Sequence, residues 1–199
     1  MDSTFKLFQS LSRTYSTPKK VQSFLKTLTY NREKRAETVR SASETFRLKK
    51  AHCLEAALIS AAILEHKGYP PILLSLDSAD NLCHAVFAFK EKSGWGAIAK
   101  SRDAGLHGRE PRFRSLRDLA LSYYDPFIDK SGKLIGYADI NLDESETNWR
   151  SSPRNIWQLE QYIVTYKHKK IVSSKKRYEK LYKKYLETGS PVSTGKHWW

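Results

Sequence analysis

The chain has 199 residues, of which 40% are hydrophobic and 28% charged, and its formal net charge is +14. That length and balance suit one globular domain with its own core, and no apolar run is long enough to read as a transmembrane helix. Two cysteines, Cys53 and Cys83, are too few for a disulfide scaffold and fit a reducing, cytoplasmic setting.

The start of the chain sets Asp2 among Phe5, Leu7 and Phe8 and lacks the apolar stretch of a secretory signal. Its Arg, Ser and Thr content leaves an organellar transit peptide open. Charge is uneven along the chain. Residues 1–52 hold 12 Lys/Arg against 4 Asp/Glu, residues 53–150 hold 12 against 14, and residues 151–199 hold 11 against 3. The positive charge therefore belongs to two flanks around a near-neutral middle. Such flanks can bind nucleic acid or another polyanion, or can simply be solvated helix faces.

In chain order, Thr17 and Pro18 open a helix with Val21, Phe24, Leu25 and Leu28 on one stripe. Residues 32–50 are polar and mix helix with loop. Cys53 to Leu64 is apolar almost all round, interrupted only by Glu55 and Ser60, which predicts a core helix closed by Gly68 and by Pro70 and Pro71. Ile72–Leu76 reads as a strand. Cys83 to Ser101 reads as a β-hairpin with its turn near Glu91–Gly94 and its return from Trp95 to Ser101. Residues 103–114 read as a loop. Ser115 caps a helix that Pro126 ends, and 132–142 reads as a late strand. A helix around Trp157, Leu159 and Ile163 follows. The last helix carries Tyr178, Leu181, Tyr182, Tyr185 and Leu186 opposite a Lys-rich face. Trp198 and Trp199 end the chain, and Trp is costly to leave in water.

Cys53 stands where free N–H groups and the helix dipole favour a thiolate. His84 opens a strand thirty-one positions later, and a helix, turn and strand can bring it back beside the helix start. A thiol with a His in reach can attack an acyl carbon, the His managing the proton. Two His–Cys neighbours, His52–Cys53 and Cys83–His84, raise zinc as a competing reading. Adjacent residues on a strand point to opposite faces, so Cys83 and His84 converge poorly on one ion.

The span from Cys53 to about Ser101 resembles the transglutaminase-like superfamily of papain-type cysteine enzymes. In that family the Cys opens a buried helix with an acid two positions on and Ala next, here Glu55 and Ala56. A Gly, aromatic and Pro turn then leads into an apolar strand, here residues 68–76. A His-Ala strand follows, here His84 and Ala85, with a return strand opening on Trp, here Trp95. The chain as a whole is also similar to a bacterial group with such a core. The family's orienting Asp falls four residues after that Trp, where this chain has Ala99. If Lys90 faces Trp95, His84 faces Ser101, which becomes a candidate orienting group, with Asp103 as the alternative.

The resemblance implies an α+β fold: a buried central helix against a small antiparallel sheet, with basic helices around it. With the charge distribution and a change of composition after Asn148, the chain divides into a basic N-terminal segment (1–52), a core (53–148) and a basic C-terminal extension (149–199). The resemblance further implies a cysteine hydrolase or acyltransferase acting on an amide or ester through a Cys53 thioester, with His84 as acid and base and with no cofactor or metal. The alternative is a non-catalytic module that keeps the scaffold and uses its flanks on a polyanion. Arg109, Arg112 and Arg114 are weaker candidates for holding an anionic substrate or forming a surface ion-pair loop.

Overall fold

The computed structural model describes residues 3–33, 37–103 and 105–190. Two helices, α1 (Ser3–Thr14) and α2 (Pro18–Thr27), lead in. A two-residue strand β1 (Thr29–Tyr30), helix α3 (Ala42–Leu48) and a second short strand β2 (Lys50–Ala51) follow, and β1 and β2 pair in parallel. The central helix α4 (Cys53–Leu64) comes next. Then come strands β3 (Ile72–Ser78), β4 (His84–Glu91), β5 (Gly94–Ile98) and β6 (Arg109–Phe113), helix α5 (Leu116–Leu121) and strand β7 (Leu134–Asn141). Helix α6 (Trp157–Thr165), strand β8 (Lys169–Lys170) and helix α7 (Lys175–Thr188) complete the described chain.

Six strands form one antiparallel sheet in the order β6-β5-β4-β3-β7-β8. The fold is α+β. Every residue of α4 except Cys53 is buried, as an apolar helix without a solvent face requires. Its Leu and Ile side chains each contribute about 2 kcal/mol on removal from water. They pack on Ala85, Phe87 and Phe89 of β4, in a cluster that also takes Phe8 of α1, Phe24 and Leu25 of α2, and Leu159 of α6. The opposite sheet face carries a second cluster, in which Leu74, Val86 and Ala88 meet Leu119, Tyr123 and Ile171, with Tyr178, Leu181 and Tyr182 of α7 partly buried against it.

Thr17 and Ser115 perform the capping expected of them; Gly68 closes not α4 itself but the 3-10 turn Glu65–Lys67 that follows it, with φ +81°, a left-handed value that suits glycine. Besides the unexpected short strands β1, β2 and β8, three elements differ from expectation. α1 carries Phe8 into the core. The return strand β5 stops at Ile98 and does not reach Ser101. Residues 109–113, expected as a loop, form the edge strand β6, where Pro111 is tolerated because an edge leaves one side unpaired. Trp198 and Trp199 lie outside the described residues. No helix among the described residues is long and apolar enough to cross a membrane.

Candidate active site

The head of α4 is fixed before the thiol is reached. His52 is its N-cap: Nδ1 accepts from the Leu54 amide at 3.2 Å, while Nε2 lies 2.8 Å from the Thr38 carbonyl oxygen. Glu55, three residues on and wholly buried, accepts from the His52 amide at 3.0 Å, closing a reciprocal capping box. The same carboxylate accepts from the Asn31 amide group at 3.2 Å, the Thr38 hydroxyl at 3.3 Å and the Arg40 backbone at 3.3 Å. One buried acid thus ties the segment after β1 to the start of α4.

Cys53 and His84 line the same two adjoining cavities, of about 400 and 310 Å³. Glu33, His52, Leu82 and Cys83 also line both, so the pair stands on the wall between them. Burial pushes the Cys53 thiol up. Hydrogen bonds from His52 and His84, together with the positive charge of both rings, overcome burial and hold it well below the ordinary thiol range. For His52, burial pulls the other way, but the Cys53 thiolate, Glu55 and the Thr38 carbonyl raise the ring to about 9. A second proton on Nδ1 would therefore exchange the Leu54 cap for the thiolate.

His84 is buried, and its Nε2 lies 2.7 Å from the Leu106 carbonyl oxygen. A carbonyl only accepts, so Nε2 carries the proton and Nδ1 is left as the base. Ser101 and Asp103 line the larger cavity, but their bonds run elsewhere. The Ser101 hydroxyl accepts from the Asp103 amide at 3.1 Å, and the Asp103 carboxylate pairs with Arg102 at 3.1 Å. The group at the far nitrogen of His84 is thus a backbone carbonyl, one that no residue-type pattern discloses.

The reason lies in how β5 ends. Gln22 of α2 is buried; its side chain donates to the Ala99 carbonyl at 2.9 Å and accepts from the Ala99 amide at 3.0 Å. It takes the place of a neighbouring strand and turns the chain out of the ladder two residues before Ser101. Ala99 itself is buried in the second cluster.

Tyr30 lines the larger cavity, and burial with the nearby Cys53 charge raises its phenol to about 12, so it stays a protonated donor at neutral pH. Cys83 differs from Cys53. Its thiol donates to Asp77 at 3.4 Å, and burial and that carboxylate raise its pKa. Arg109, expected at the surface, is fully buried, so it is closed to an anionic substrate.

No family model matches the chain, and no curated protein matches it. Among solved structures it is similar to Legionella pneumophila LapG, with 18% identity and a TM-score of 0.40 over 67% of this chain and 70% of that one. A likeness of that size fixes neither an activity nor a substrate.

Proposed function

We propose that the protein is a cysteine acyl-transfer enzyme that cleaves an amide or ester through a Cys53 thioester. The observation that carries this reading is the anchored imidazole: His84 donates its Nε2 proton to the Leu106 carbonyl and leaves Nδ1 for a thiol whose pKa is lowered. The Cys53 sulfur attacks the acyl carbon and forms a C–S bond. His84 Nδ1 takes up the thiol proton in this attack, and as the C–N or C–O bond breaks the leaving group takes that proton from Nδ1. Water, or an amine in a transfer reaction, then attacks the thioester. His84 Nδ1 takes the proton of that nucleophile, and the sulfur leaves as thiolate. Tyr30 adds a neutral hydrogen-bond donor on the cavity wall.

An activated aryl ester followed by peptide mapping tests the reading. The expected result is an acyl adduct on Cys53 that forms about 10²-fold or more slowly in His84→Ala, the loss typical of removing a general base. Equal acylation of Cys53 and Cys83, unaffected by His84→Ala, would contradict it.

A second reading rests on α7, whose Lys175, Lys176, Lys180, Lys183 and Lys184 are all exposed. We propose that this face can hold a polyanion. Oligonucleotide affinity should then fall by orders of magnitude from low to physiological salt and vanish when these lysines become Gln. A flat salt response would leave the lysines as a solvated face.

A further inference from the structure

Between Gly105 and Arg109 the chain forms a tight loop whose carbonyls are all held. Arg109 does most of the holding. Its Nη2 donates to the Gly105 carbonyl at 2.9 Å, and its Nη1 to the His107 and Gly108 carbonyls at 2.9 and 3.1 Å. Its other contacts fix the guanidinium: Nε to the Ser122 hydroxyl at 3.0 Å, Nη2 to the Ser122 carbonyl at 3.1 Å, and its plane over the Tyr123 ring at 3.8 Å. Tyr123 is fully buried and donates its own hydroxyl to the His107 carbonyl at 3.0 Å. Its ring also meets the His84 ring edge-on, with centroids 6.1 Å apart. One carbonyl in the loop is left to point elsewhere, that of Leu106, and it takes the His84 Nε2 proton.

A buried guanidinium that holds three carbonyls of one loop, and a fourth at Ser122, is a costly way to shape that loop. A lysine offers a single point of donation and cannot span these acceptors. We propose that Arg109 is a positioning residue for His84. By clamping the carbonyls on both sides of Leu106, it aims the Leu106 carbonyl at Nε2, so that a loop backbone does the work a carboxylate does in a triad. The catalytic part of this claim rests on the function proposed above; the clamp itself rests on the loop geometry.

The test uses the full chain carrying Cys83→Ser, with Arg109→Met, Arg109→Lys and Ser122→Ala compared against it. Two quantities are read: the rate of Cys53 alkylation by iodoacetamide against pH, and the NMR signal of the His84 Nε2 proton. In folded Arg109→Met the alkylation rate at pH 6 should fall about tenfold, the effect of a one-unit rise in thiol pKa, and the Nε2 proton should be lost to fast exchange. Arg109→Lys should recover part of both. An unchanged pH profile and an unchanged proton signal in folded Arg109→Met overturn the proposal. Should that variant not fold, Ser122→Ala decides: an intermediate fall supports the clamp, and wild-type values for both readouts overturn it. An ordinary thiol profile in the parent chain, with a His84 proton that still disappears in Arg109→Met, sinks the catalytic reading and supports the clamp.

Discussion

Glu55 and His52 do different work at the head of α4. Glu55 is fully buried and satisfies amides from two separate segments, so Glu55→Ala leaves several buried donors unpaired. We expect a loss of about 3 kcal/mol, read from the shift in urea midpoint at constant slope. His52 is held near 9 chiefly by the neighbouring thiolate, against the opposing effect of burial. Its folded pKa lies above the unfolded value of 6.5, so its contribution to stability is complete below about pH 6.5 and is lost as pH rises through about 9. An NMR titration should place the His52 midpoint near 9 in the parent chain and clearly lower in Cys53→Ala. The same midpoint in both would mean that the thiolate does not reach the ring.

Among the elements, α4 was legible from its residues because burial, capping and termination all pointed the same way. Apolar residues on every side, Gly68 after the helix and the prolines beyond it admit one reading. The His-Ala opening of β4 was implied by the family resemblance and the Lys90–Trp95 register by the hairpin turn between them, and both are found. The end of β5 was not legible. Nothing local to Ser101 reveals that Gln22, seventy-seven residues before Ala99, supplies the hydrogen bonds a strand would have supplied. The Leu106 carbonyl was equally hidden, since a backbone oxygen has no residue-type signature. Gly108 records the arrangement indirectly, because a Cβ there would lie 2.3 Å from the Gln22 Oε1 and 2.7 Å from the Ala97 carbonyl oxygen. Gln22→Leu should therefore cost about 2–4 kcal/mol, from two backbone groups left buried and unpaired. Amide hydrogen exchange should show the Ala99 N–H losing protection. Retained protection at Ala99 would mean another partner takes over from Gln22.

Across the whole molecule, the basic flanks are part of the body. α1 and α2 share the core of α4, and α7 leans on the opposite cluster. The C-terminal end of α7 also reaches the site, since Tyr185 and Gly189 line the larger cavity. Tyr185→Ala should speed the reaction of Cys53 with a bulky maleimide several-fold while leaving its reaction with iodoacetamide, and the pH midpoint of both, unchanged. Equal acceleration of the two reagents would place the effect on the thiol and not on access.

The chain contains its own control for the central claim, that Cys53 is an activated thiol. Cys83 is the more exposed of the two cysteines, yet its pKa is raised, whereas that of the half-buried Cys53 is lowered. Exposure and activation thus predict opposite orders of reaction. The direct measurement is limiting iodoacetamide at pH 6 on the unaltered chain, followed by peptide mass mapping of both cysteines. The structure predicts that Cys53 is modified first and by a wide margin; modification of Cys83 first, or of both at equal rates, would contradict it.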